Sequence, residues 1–312
     1  MNHLTQLIPA ILILFVYGLF YLATKVLVPR YKLKKRRSPF KRNFLRSPGE
    51  GIRGQVDDVN VDLNVYLLAA VISPLILYSV ILTHAYLGSR AISGSSIWFL
   101  ILIAAAFEAV FVIKLVRSFN QRRKFRLDCE GELAVGRELN QLLRDGYYVY
   151  HDFPADNFNI DHIVVGPAGV YAVETKARRK PSTGKGQSDA KVIYDGQKLH
   201  FPDWTETKPL EQVRWQAQWL SKWLSSAVGD SIYVQPVIAL PGWYVDRIST
   251  NDLPVINPEQ FQSILKSSKD IKMDEKLLTR IVHQFDQRCR EVHIGAAEGP
   301  GGRSGLGEKE KA

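Results

Sequence analysis

Long apolar runs occupy the first third of the chain, at residues 7–24, 65–87 and 97–116. Each is long enough, as an α-helix, to cross a hydrocarbon core of about 30 Å. A backbone in hydrocarbon must satisfy its own hydrogen bonds, so three transmembrane helices are the expectation. The first run continues past Lys25 through Val26-Leu27-Val28. Its leading MNHLTQ carries neither lysine nor arginine, and no small-residue cleavage site precedes the basic stretch, so it reads as a retained helix rather than a signal peptide. The second run contains Pro74, with His84 near its end; the third is interrupted by Glu108 and closed by Lys114 and Arg117. A carboxylate at that depth is costly and a functional candidate by default. The simpler reading of Glu108 is a protonated side chain bonded to a neighbouring helix.

Charge sets the expected orientation. From Arg30 to Arg53 there are 10 basic residues and one acid, Glu50, and Arg122, Arg123, Lys124 and Arg126 follow the third run. Only Arg90 lies between the second and third runs. The excess of Lys and Arg on the cytoplasmic side predicts residues 1–6 outside, 29–63 inside, 89–96 outside and 118–312 inside. The net charge of +10 is therefore juxtamembrane in origin: residues 128–312 hold 23 Lys+Arg against 26 Asp+Glu. Anionic headgroups are the expected contact of the basic loop, with nucleic acid held near the following domain as the sharper alternative. The expected organisation is a first transmembrane helix at 1–29, a basic cytoplasmic loop at 30–63, helices two and three at 64–117, a globular domain at 118–294 and a tail at 295–312. The implied location is integral to a membrane, a bacterial inner membrane for a cytoplasmic C-terminal domain. Two widely separated cysteines, Cys129 and Cys289, form no disulfide framework and suit a reducing compartment. With no CxxC or Cys/His cluster, a structural zinc site is not expected.

After residue 127 the apolar pattern becomes that of a soluble domain. Its periodicity predicts a helix over 130–143, stopped at Asp145-Gly146, and a strand over 147–150. The apolar runs at 163–165 and 170–173, joined by Gly166-Pro167-Ala168-Gly169, predict a hairpin. A polar, basic loop follows at 178–190, then a small hairpin around Asp195-Gly196. A helix at 210–227 carries Trp215, Trp219 and Trp223, a stripe expected to pack on a sheet. A buried strand at 232–240, a short one at 254–256 and helices at 258–266 and 274–292 complete the domain. The Gly-rich, charged residues 295–312 are expected to be disordered. Helix, strands, helix, strand is the order of an α/β domain with a mixed sheet flanked by helices.

The chemistry concentrates on the hairpin. Asp161 opens its first strand; Glu174 and Lys176 close the second. Residues two apart on a strand share a face, so Glu174 and Lys176 point one way. With Asp161 turned to that face, two carboxylates and an ammonium converge. Paired carboxylates raise each other's pKa, and a hard cation with oxygen ligands relieves that repulsion.

These residues resemble the PD-(D/E)xK nuclease superfamily, and within it the nuclease-related domain, NERD. The matching pieces are Gly131-Glu132 opening a helix, the strand from Tyr147 to Asp152, Ile160-Asp161-His162, the stretch from Gly169 to Lys176 ending Glu174-Thr175-Lys176, and Pro209-x-x-Gln212 beginning a later helix. Together they cover roughly residues 128–240. The resemblance implies a restriction-endonuclease-like fold and a Mg²⁺- or Mn²⁺-dependent nuclease. Asp161 and Glu174 would be metal ligands, aided by the Thr175 carbonyl. Lys176 would act on the attacking water or the transition state, and Glu132 and Gln212 would form the outer wall of the site. Arg178, Arg179, Lys180 and Lys185 would contact flanking phosphates of nucleic acid, DNA first. His162 reads as a packed core histidine. A module that binds nucleic acid or protein at the membrane without catalysis is the alternative.

Overall fold

A computed structural model of the chain describes residues 45–87, 94–181, 190–249, 253–267 and 273–290. The first apolar run, the loop at 88–93, Lys185 and the tail at 295–312 lie outside them. The described residues form two units: Gly51–Glu130, and residues 45–50 together with those from Gly131 onward.

The first unit is helical. Helix α1 spans Glu50–Leu87 and helix α2 Gly94–Leu139, whose last turns belong to the second unit. Among the described residues, one helix, over Glu50–Val80, is long and apolar enough to cross a membrane by length and composition. The third apolar run forms the first half of α2. Trp98, Phe99, Leu102 and Phe107 there are 71, 64, 67 and 59 % exposed. The two helices touch through polar side chains: Ser73 Oγ donates to Glu108 Oε2, and Lys114 Nζ lies 5.5 Å from the centroid of the Tyr66 ring. Glu108 thus has the interhelical hydrogen bond expected of it.

The second unit is a layered α/β domain. Its main sheet has the order β1-β2-β3-β7-β9, with β1 Tyr148–Pro154, β2 Asn159–Gly166, β3 Gly169–Thr175, β7 Val234–Ala239 and β9 Val255–Ile256. Strands β1, β2 and β3 run antiparallel; β7 and β9 continue in parallel. A parallel neighbour requires a crossover connection, supplied between β3 and β7 by a stretch that includes helix α3, Lys208–Val228. Alternating side chains cover both faces. Ile163, Val165, Val170 and Ala172 meet Ala217, Leu220 and Leu224 of α3 and Ile281 and Phe285 of α5, Glu275–Arg288. Val164, Tyr171 and Val173 meet Val135 and Leu139 of α2 and Phe261 and Ile264 of α4, Phe261–Ser267. Leu142 joins that layer from a 3-10 turn, Asn140–Asp145, which closes on Gly146 at φ 80°.

A second sheet has the order β6-β5-β4-β8, with β4 Lys191–Tyr194, β5 Leu199–His200, β6 Thr205–Glu206 and β8 Tyr244–Arg247. The hairpin expected around Asp195-Gly196 is β4–β5. Strands β6 and β8 were not anticipated; they are two and four residues long. The helix expected at 130–143 is instead the end of α2 plus the 3-10 turn.

Candidate active site

The site sits at the end of β3. The β2–β3 ladder pairs His162 with Val173, so one residue further along that register Asp161 stands opposite Glu174. There the side chain takes over from the ladder: Asp161 Oδ2 accepts the N–H of Thr175 at 2.7 Å. Glu174 is 2 % exposed. Its Oε1 accepts from Lys176 Nζ and from Gln212 Nε2 at 2.8 Å, and Lys176 Nζ also donates to Gln212 Oε1 at 3.1 Å. Gln212 comes from the first turns of α3, next to a helix start where Pro209 lacks the N–H that would have no helical partner. Lys176 is held by its own N–H, which donates to Ala239 O of β7 at 2.9 Å.

Glu132 comes from α2, 7 % exposed. Gly131 explains how it gets there: a Cβ at that position would lie 2.5 Å from Ala177 Cβ and 3.6 Å from Thr175 Cγ2. Only a glycine lets the helix approach the end of β3 this closely. Burial, then the charges of Glu174 and Glu132, push the Asp161 carboxyl well above the usual carboxylate range; the Thr175 N–H and Lys176 pull it back. Asp161, Glu174, Lys176, Gln212 and Glu132 are therefore one electrostatic cluster, assembled from β2, β3, α3 and α2.

The donor set suits a hard divalent cation. Glu174 Oε2 is buried with no hydrogen-bond partner, a free oxygen beside a second carboxylate that repels it. Among the described residues no group of three or more His, Cys, Asp or Glu side chains is arranged to hold a metal. Two carboxylates would leave the remaining positions to carbonyl and water, the coordination Mg²⁺ prefers.

The expected phosphate-binding residues divide. Arg178 spends both sides of its guanidinium on Glu206, Nε to Oε1 at 2.8 Å and Nη2 to Oε2 at 2.9 Å, with Trp204 Nε1 also donating to Glu206. Arg179 and Lys180 are exposed, with Lys180 Nζ 5.9 Å from the Trp243 ring centroid. Lys185 lies outside the described residues.

Several supporting residues gave no sequence signal. His162 is fully buried as expected, and its Nδ1 lies 2.9 Å from Nδ1 of His151, whose Nε2 is 3.0 Å from Asn140 Oδ1. Asp152 has φ 48°, in the left-handed region. Around it both strands change face: Tyr150 and Phe153 of β1, like Ile160 and Ile163 of β2, join the same core cluster. Arg46 Nη1 braces the break, donating to the Asp152 carbonyl and to Oδ2, each at 3.2 Å, while Asn159 Nδ2 donates to Oδ1 at 2.8 Å. By the β1–β2 register Asp152 faces Asp161. No curated protein and no solved structure matches the chain. Residues 128–241, which carry every described member of the cluster, match the family described as the nuclease-related domain, NERD, and that match supports placing this domain in the family.

Proposed function

We propose that the chain is a membrane-anchored, metal-dependent nuclease that hydrolyses phosphodiester bonds of nucleic acid, DNA first, on the cytoplasmic side. The observation that carries this is the unpartnered, buried Glu174 Oε2 beside Asp161, with Lys176 fixed between Glu174 and Gln212. Asp161 and Glu174 would hold Mg²⁺ or Mn²⁺. Such an ion, when bound, supplies charge for the phosphate and lowers the pKa of water.

This chain's own residues do the rest. Lys176 presents an ammonium where negative charge develops on the phosphorus oxygens, and its two tethers fix that charge before the substrate arrives. Gln212 orients both Lys176 and Glu174, so the carboxylate and the ammonium keep one relative geometry. Glu132 adds negative potential at Asp161. Arg179 and Lys180, with Lys185 in the same basic loop, would contact phosphates away from the scissile bond. Arg178 would serve the loop's architecture through Glu206 rather than the substrate. The exposed apolar surface of α1 and α2 supports the anchor.

The experiment is digestion of plasmid, linear DNA and RNA by the full chain in detergent, with Mg²⁺, Mn²⁺ or EDTA. Cleavage that requires the divalent ion and ends with Asp161→Ala supports the reading. Cleavage indifferent to EDTA or to Asp161→Ala overturns it.

A further inference from the structure

The tryptophans of α3 are not equivalent. Trp219 and Trp223 pack on the sheet's core as partly buried residues, but Trp215 is 52 % exposed. A tryptophan serving only to close the core can be buried outright, as Trp243 is at 0 %. Trp215 lies instead against Phe158, with ring centroids 4.4 Å apart and planes at 49°. Phe158 in turn meets Trp219 edge-on, at 5.2 Å and 80°. The connection carrying Phe158 is tied down. Ala155 N–H donates to Phe158 O at 2.9 Å, and Arg288 Nε donates to Pro154 O at 2.7 Å. Arg288 also bonds Asp156 and lies 5.5 Å from the ring centroid of Trp219. The result is a fixed aromatic shelf with one ring open to solvent.

Both edges of this shelf lead to the candidate active site. Trp215 follows Gln212 by three residues on α3, and residues three apart on a helix are surface neighbours, about 5–6 Å between Cβ atoms. Phe158 immediately precedes β2, whose third residue is Asp161. The shelf and the carboxylates therefore lie within the reach of neighbouring nucleotides on one strand.

We infer that Trp215, backed by Phe158, stacks an unpaired base beside the phosphodiester bound at the Asp161–Glu174 site. The preferred substrate is then single-stranded nucleic acid or a frayed end, not continuous duplex. This rests on the nuclease reading for its class of ligand. Exposed aromatic rings bind successive bases through their π faces without regard to sequence. Bases inside a duplex are already stacked, and reaching them costs unpairing. A rigid shelf adds no ordering cost at binding.

The test is fluorescence anisotropy with the full chain in detergent, in Ca²⁺, using fluorescein-labelled oligothymidylate and a labelled blunt hairpin duplex. Oligothymidylate binds more tightly than duplex; Trp215→Ala weakens it about tenfold and leaves duplex binding unchanged, while Trp215→Phe retains most of the affinity. Thermal unfolding of each variant shows that the fold is kept. Equal affinity for the two probes, binding of neither, or a Trp215→Ala loss common to both or absent from both overturns the inference. Trp215-dependent oligothymidylate binding without cleavage in Mg²⁺ would uphold the shelf and reject the nuclease reading. Metal-dependent cleavage of both substrates, unchanged by Trp215→Ala, would do the reverse.

Discussion

Glu174 carries two opposed demands under the proposed role: it is buried, yet it would have to keep an oxygen for a metal ion. Lys176 and Gln212 meet the first demand through Oε1 and leave Oε2 for the second. Partners of this kind typically tune metal affinity by about 10- to 100-fold, so Gln212→Ala weakens Mn²⁺ binding by that order in calorimetry, with little change in melting temperature. An unchanged affinity would make Gln212 a surface residue. Behind the sheet, His151 is a second test. Burial lowers its pKa from 6.5 to about 4. The folded value lies below the unfolded one, so its contribution is whole above pH 6.5 and is lost as pH falls towards 4. The loss is roughly 3 kcal/mol at 1.36 kcal/mol per pKa unit, and buried His162 shifts in the same direction. Urea unfolding across that window shows the decline, and His151→Gln makes it shallower, leaving the part due to His162. Asp161, Glu174 and Lys176 were legible because their spacing is local to one hairpin, whereas Gln212 and Glu132 were suggested by the family resemblance alone. His151, Asn140, Asp152, Arg46 and Glu206 were not: each acquires its role from a partner 11 to 106 residues away.

Among the elements, the hairpin and the α3 helix are what their periodicities predict, to within a few residues. The reading of α2 differed for a physical reason. Nothing between Arg117 and Glu130 breaks a helix, with no Gly or Pro in that stretch, so the apolar run and the domain's first helix join. Strands β6 and β8 are too short for alternation to register. Gly131 is where helix and site meet. Ordinarily Gly→Ala in a helix gains up to about 1 kcal/mol; here the Cβ would strike Ala177, and overpacking costs about 1–3 kcal/mol. Gly131→Ala therefore lowers the melting temperature and reduces Mn²⁺ affinity by shifting Glu132 away from Asp161. A raised melting temperature with normal affinity would show that the close approach is unimportant. The strap before α1 is a further part of the domain that composition does not reveal. Arg46 pairs with a nearly buried Asp152, and Pro48 fills the space over Gly136. Removing one partner of such a pair costs on the order of 3 kcal/mol, so Arg46→Ala lowers the urea midpoint, whereas a surface arginine such as Arg126 does not.

For the whole molecule, the Arg46–Asp152 pair bears on topology. It joins the segment before α1 to the domain after α2 within one unit, a contact compatible with the expectation that both basic segments lie on one side of a membrane. In contrast, Asp57, Asp58 and Asp62 make the start of α1 less basic than the chain before it. Fusions after Leu127 therefore give fluorescent protein without phosphatase activity; the opposite pattern would move the domain outside and remove intracellular nucleic acid as its substrate. Everything in the proposed mechanism depends on the Asp161–Glu174–Lys176 cluster hydrolysing phosphodiester bonds with a divalent ion. Its most direct test is the single-turnover rate of oligonucleotide cleavage in Mn²⁺ by wild type and by Lys176→Ala, each shown by calorimetry to bind Mn²⁺. The expected rate is lower by about 10²- to 10³-fold in the variant. Equal rates, or no cleavage by a wild type that binds both metal and oligonucleotide, would contradict it.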